Sequence, residues 1–287
     1  MGTSTSSSGG KAGSPFDPEW LSSDTSGAGV AGDDGHAEPG QDGGDESGEA
    51  SDAGIADIQA GKAAAVDGAL APSRRFADAR TKMSTFLGGG GSESLRSAAK
   101  SMVTKGMGGS RRAASTMRGT AQGAGALGQF LASARDRSDP RVANWVDRTR
   151  QANLAADDLI LELVKEVMPD TGSVDDESLR NAAAEALGLL YELNPDIDIF
   201  NLSDAQIHDV MAITIANDVC NRMDLQLGQA YEKLKYDAQQ IQVYRKDVKE
   251  YVQSEVRVVM ERLGTTGLDP KRLARDVLQS AMEVFAS

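Results

Sequence analysis

From residue 74 onward the apolar residues recur with the spacing of helix faces. Phe76, Ala79, Met83, Phe86 and Leu87 fall on one stripe, which the run Gly88-Gly89-Gly90-Gly91 closes. Ser92 is placed to cap a second helix carrying Leu95, Ala98, Ala99, Met102 and Val103, interrupted by Gly106-Met107-Gly108-Gly109. A third helix is predicted from about Ser110 to Ala134, with Ala113, Met117, Ala121, Ala124, Leu127 and Leu131 on one face. Gly119, Gly123, Gly125 and Gly128 weaken it, each by about 0.8–1 kcal/mol relative to Ala. Small residues at that density permit close backbone approach, within the chain or at an interface.

The pattern is firmer beyond. Asp139-Pro140 reads as an N-cap followed by a proline in the first helical position. The helix it opens is expected to continue through Leu154, Leu159, Ile160, Leu161, Leu163, Val164 and Val167 and to stop before Pro169. Ser173 or Asp175 caps the next, which carries Leu179, Ala183, Ala186, Leu187 and Leu190 and ends at Asn194-Pro195. Ser203 and Gln206 form a capping box ahead of Ile207, Val210, Met211, Thr214, Ile215 and Asp218. Tyr244 to Leu263 gives a further helix with Gly264 as its stop, and Asp269-Pro270 starts the last. Leu161, Leu187, Ile215, Val256 and Leu278 are expected in the core. No stretch alternates with period two, so the fold class is all-α, a helical bundle with short loops.

Charge divides the chain into three segments. Residues 1–73 hold 13 acids and 2 bases, residues 74–150 hold 5 acids and 15 bases, and residues 151–287 hold 25 acids and 13 bases. Three parts follow: an acidic tail over 1–73, a basic, glycine-interrupted helical segment over 74–138, and an acidic helical bundle over 139–287. The tail holds 15 of the 31 glycines, with many Ser and Asp, so it cannot bury enough apolar surface to offset chain entropy and is expected to be disordered. Within it, Ser14 to Leu21 reads either as a docking peptide or as a chance apolar spot, and Ile55 to Ala71 as a marginal helix or as more coil. One Cys and two His cannot build a zinc site or an internal disulfide. No apolar run reaches 18 residues, and the N-terminus lacks the charged and apolar regions of a secretory signal, so no membrane span and a cytoplasmic location are expected.

Catalytic, metal and cofactor chemistry are not expected. His208 and Cys220 stand about 18 Å apart on one predicted helix at 1.5 Å per residue, too far for a nucleophile–base pair. They read as a polar-face imidazole and a buried thiol. Asp157-Asp158 and Asp175-Asp176-Glu177 are carboxylates at helix starts, where the dipole favours them. Gly106 to Arg112 lacks the Gly-Lys-Ser/Thr of a phosphate loop and has no strand before it. The basic segment is the candidate contact surface, with Arg74, Arg75, Phe76, Arg80, Arg111 and Arg112 as its partner-binding residues. Few aromatics interleave the bases, which favours a protein partner; the alternative is a nucleic-acid-binding adaptor using residues 74–118. At the start of the chain, Gly2 follows Met1. It fits a myristoylation pattern with no adjoining polybasic patch, or it is simply tail. With Met1 removed it also presents an α-amine of pKa about 7.7–8, nucleophilic near neutrality and unhindered by a side chain.

Taken in order, these segments resemble the QatB family, the accessory proteins of the four-component Qat anti-phage defence system. The resemblance rests on Met1-Gly2-Thr3-Ser4-Thr5-Ser6-Ser7, the spot ending in Trp20, Ser73-Arg74-Arg75-Phe76, Ala79-Arg80-Thr81 and Ser94-Leu95-Arg96. It continues through Gly108-Gly109-Ser110-Arg111, Gly125-Ala126-Leu127 and the turn from Pro169 to Asp175. The acidic insert at about 24–60 falls outside the pattern. The resemblance implies a non-enzymatic adaptor and substrate whose Gly2 amine takes a 7-deazaguanine acyl group from a QueC-like partner. It also implies a P-loop ATPase and a TatD-like nuclease as further partners.

Overall fold

The computed structural model describes residues 74–168, 172–233, 238–263 and 269–287, and among these there are helices and no strand. The tail over 1–73, with Gly2, lies outside the described residues. The helices are α1 (Ala77–Thr85), α2 (Gly91–Ser101), α3 (Ser110–Thr116), α4 (Arg118–Asp136), α5 (Pro140–Ala152) and α6 (Ala156–Val167). They continue as α7 (Val174–Leu193), α8 (Asp204–Leu227), α9 (Gln229–Lys233), α10 (Ala238–Leu263) and α11 (Pro270–Ala286). The expectation of an all-α bundle is met. None of the described helices is long and apolar enough to cross a membrane.

Local signals set most of the boundaries. Asp139 caps α5, its carboxylate accepting from the Arg141 amide at 2.8 Å, and Asp269 caps α11, accepting from the Arg272 amide at 3.0 Å. The capping box at α8 is complete: the Ser203 hydroxyl accepts from the Gln206 amide, and the Gln206 side chain accepts from the Ser203 amide. Two orphaned donors are thereby satisfied at one helix start. Ser173 is the cap residue of α7, with Asp175, Asp176 and Glu177 in the first turn.

Four expectations are corrected. Ser92 is not a cap: α2 starts one residue earlier, at Gly91 with φ of 67°, and Gly90 holds the cap position. The helix expected from Ser110 breaks at Met117 (φ −94°, ψ 20°) into α3 and α4. The helix from Asp139 does not run on to Val167. Asn153 takes a left-handed conformation at φ 47°, which Asn tolerates better than most residues, and α6 begins afresh at Ala156. Leu161 is 62% exposed. The buried stripe of α6 is Ile160, Leu163 and Val164, and Leu161 lies one residue, about 100° of helix, off it. Leu187, Ile215, Val256 and Leu278 are buried as expected.

The core is built around α8. Ile207, Val210, Met211, Ile215, Ala216, Val219, Met223 and Leu227 are buried on it, and so are His208, Thr214, Asn217 and Asp218. A helix buried on so many sides needs neighbours on all of them. They are α7, α10, α4 and, more lightly, α11. The acid-poor α4 thus packs between α8 and α11 of the acidic segment, and the change of charge near residue 139 falls inside one packed unit.

The glycines of α4 make that packing close. A methyl group on Gly123 would stand 2.4 Å from the Leu179 side chain, on Gly128 2.3 Å from the Met211 sulfur, and on Gly125 2.7 Å from the Lys271 Cα. Three neighbours, α7, α8 and α11, therefore lie against three glycines. The expectation of close approach is met within the chain. Gly119 has nothing within 4 Å of such a methyl. Few aromatics are available, and three of them hold the flank. Trp145 on α5 meets Phe130 of α4 edge-on at 5.2 Å and Phe200, before α8, at 6.0 Å.

Gly125→Ala should therefore lower stability: overpacking against backbone costs about 1–3 kcal/mol, offset by about 1 kcal/mol of helix propensity. Gly119→Ala, on the same helix with open space, should be neutral or stabilising by up to about 1 kcal/mol. Urea unfolding of the two variants checks this, and equal shifts in midpoint would remove the close approach from the account.

Candidate functional site

The structure divides the residues that the sequence put forward as one contact surface. Arg74 and Arg75 are exposed ahead of α1, with the Arg75 guanidinium 4.9 Å above the Phe76 ring. Phe76 itself is buried, and its ring fills the place that a side chain at Gly106 would need. Arg80 reaches away from the surface: its Nε donates to the Gln226 carbonyl at 2.8 Å, tying α1 to the last turn of α8, where the helix dipole favours a cation. Arg112 is exposed and folds its side chain over Gly108. Other bases of the segment are also engaged. Lys82 and Lys105 both pair with Asp78, at 3.3 and 2.9 Å, and they hold the Asp78 carboxyl down at about 2, the Lys105 hydrogen bond contributing most. Arg96 stands 3.9 Å from Glu255 of α10.

Arg111 has a different setting. It lines a groove of about 700 Å³ between α3 and the start of α4 on one side and α11 on the other. Arg118, Lys271 and Arg275 line the same groove, so four cations converge. Ala114, Ala121, Ala126 and Leu278 supply apolar lining. Arg275 stands 3.8 Å from Asp276, its neighbour in sequence, whereas Arg111, Arg118 and Lys271 make no ion pair among the described residues. The contact of Gly125 with the Lys271 backbone sets how near α11 stands to α4, and with it the width of this groove. Arg74, Arg75, Phe76, Arg80 and Arg112 do not line it. Sequence reasoning missed Lys271 and Arg275 because they lie in the acidic third of the chain. The available signal was their spacing of four on one helix, which puts both on one face.

The chain matches the family model described as "Qat anti-phage system associated protein QatB" over residues 108–285. That range covers well over half of the chain, holds the whole groove and begins after α1 and α2. No curated protein and no solved structure matches the chain.

The polar groups inside the bundle are committed to one another. Asp218 of α8, 1% exposed, accepts from the Thr120 hydroxyl of α4 and from the Ser178 hydroxyl of α7 at 2.8 Å. Arg222 bridges towards Asp218 and Asp175, at 3.7 and 3.4 Å. Asn217 accepts from the Gln253 side chain of α10 at 3.0 Å. His208 corrects the expectation of a polar-face imidazole: it is buried, and loss of hydration holds its pKa below the ordinary value. Cys220 lies twelve residues along the same helix. Burial pushes its thiol up to about 12, so the nucleophilic thiolate is scarce near neutrality. No group of three or more His, Cys, Asp or Glu that could hold a metal ion occurs among the described residues.

The raised thiol has a stability consequence. Above about pH 9 the unfolded chain releases the Cys220 proton while the folded one keeps it, so stability from this group is full below that pH and is lost as pH rises towards 12. Alkylation of Cys220 by iodoacetamide at pH 8 should be slow in the native protein and rapid in urea. Equal rates would show that the thiol is not held protonated by burial.

Proposed function

The chain belongs to the QatB family of Qat anti-phage system associated proteins, and we propose that within that system it acts as a non-enzymatic adaptor and substrate. It is thus a component of an anti-phage defence system, and its partners are sought first within that system. On this reading Gly2, exposed by removal of Met1, is the acceptor. A QueC-like partner activates the carboxylate of a 7-deazaguanine as its acyl adenylate. The Gly2 nitrogen attacks the acyl carbon, the new C–N bond forms as the bond to the adenylate oxygen breaks, AMP leaves, and the amine releases a proton. The P-loop ATPase and the TatD-like nuclease of such systems are further partners on the same reading.

The observation that carries the proposal is Gly2 itself, an α-amine without a side chain, placed after Met1 in a run of Thr and Ser that resembles the family's N-terminal residues. With a pKa of about 7.7–8, a useful fraction of that amine is neutral at pH 7–7.5. A role for residues 74–118 in nucleic-acid binding is the second reading. Arg80, Lys82, Arg96 and Lys105 already have partners in the Gln226 carbonyl, Asp78 and Glu255, which leaves Arg74, Arg75, Lys100, Arg111, Arg112 and Arg118 exposed for it.

Substitution at Gly2 tests the proposal. Any group on its Cα narrows the approach to the acyl carbon, so Gly2→Ala should reduce anti-phage protection by the complete system and Gly2→Pro should abolish it. Thermal stability of both variants should equal that of the parent. Full protection by Gly2→Pro would overturn the acceptor reading. Salt dependence separates the alternative, since phosphate binding falls steeply with salt.

A further inference from the structure

We infer that the groove between α3–α4 and α11 is the docking site for an acidic amphipathic helix of a partner protein. The inference deepens the adaptor reading and rests on it, and it assigns the surface by which the adaptor holds a partner. Charge is the first argument. The protein as a whole is strongly acidic, at −13, yet Arg111, Arg118, Lys271 and Arg275 converge here from two parts of the chain. Three of them have no anionic partner among the described residues. Cations brought together in this way repel one another, and an acidic ligand relieves that repulsion.

The lining is the second argument. The half-buried Ala114 and Ala126 line it over the buried Ala121 and Leu278, so the groove offers small apolar side chains beside its charge. Alanine lets a helix axis approach closely, and the lining runs from Lys271 to Gln279, about 12 Å of α11 at 1.5 Å per residue, enough for two turns of a ligand helix. A helix with aliphatic residues on one face and Glu or Asp along its borders matches both features. Single-stranded nucleic acid matches only the charge. It gains much of its affinity by stacking bases on aromatic rings, and no aromatic side chain among the described residues lines the groove.

Fluorescence anisotropy with the full-length protein tests this. Three labelled probes are used: a Glu/Leu/Ala peptide patterned as an amphipathic helix, a peptide of the same composition with the pattern scrambled, and an oligothymidylate of equal charge. The patterned peptide should bind most tightly, and Arg118→Glu with Arg275→Glu should weaken it about tenfold or more. Both arginines are exposed, so the doubly substituted protein should keep its melting temperature. A second variant, Ala126→Ser, at a half-buried lining position, leaves the charge alone and should weaken the patterned peptide more than the scrambled one. Equal affinity for the two peptides would overturn the inference, as would an oligothymidylate that binds as tightly and responds alike to the reversals. Sedimentation of the full chain supplies the remaining arm: self-association that the reversals abolish would assign the groove to a second copy and overturn it too. The Gly2 variants should bind the patterned peptide normally, so loss of acceptor function and loss of docking are read separately.

Discussion

The approach of α4 to three neighbours through glycine is the constraint on which the rest of the structure depends. At Gly125 an added carbon would meet the backbone of α11, and at Gly123 and Gly128 it would meet the Leu179 and Met211 side chains of α7 and α8, which would have to shift. The same helix pays for this closeness in intrinsic helix propensity, about 0.8–1 kcal/mol for each glycine. It is held instead by what it buries: Leu127 and Leu131 are fully enclosed, and Ala121, Ala124 and Ala134 nearly so. Because α11 meets α4 backbone to backbone at Gly125 and Lys271, the cations of α11 stand across a narrow groove from those of α3 and α4.

Enclosing α8 has a cost of its own, because its sequence is not wholly apolar. Asp218, Asn217 and Thr214 are buried, and a buried charge or amide without a partner is destabilising by several kcal/mol. Each has a partner in this fold. Asp218 draws hydroxyls from α4 and α7, Asn217 an amide from α10, and the Thr214 hydroxyl donates back to the Val210 carbonyl at 2.8 Å. Those bonds fix which helix lies on which side of α8.

The caps were legible because their physics is local. Asp139-Pro140, Ser203 with Gln206 and Asp269-Pro270 each bond within three residues of chain, and all three stand as expected. The face of α3 and α4 was legible for the same reason, since its period is written in Ala113, Met117, Ala121, Ala124, Leu127 and Leu131. What failed depended on distant partners or on a weak signal. The break at Asn153 has neither Gly nor Pro to announce it. Leu161 belongs to an apolar run whose orientation only α7 and α4 decide, and His208 is buried because α8 is enclosed, which its own turn does not reveal. The candidate surface was half legible. Arg111 was placed in it from the basic segment, but Arg80 turned inward to a carbonyl, and Lys271 and Arg275 entered from a helix some 150 residues away in a segment of opposite charge.

On the reading proposed for this QatB-family chain, the bundle positions partners and the chemistry takes place on a single amine. The intact mass of the N-terminal peptide, from cells carrying the complete defence system, tests that claim most directly. The account predicts a peptide that has lost Met1 and gained the mass of a 7-deazaguanine acyl group on Gly2, and that reverts to the bare glycine when the QueC-like partner is inactivated. A bare Gly2 amine beside an active QueC-like partner would contradict it.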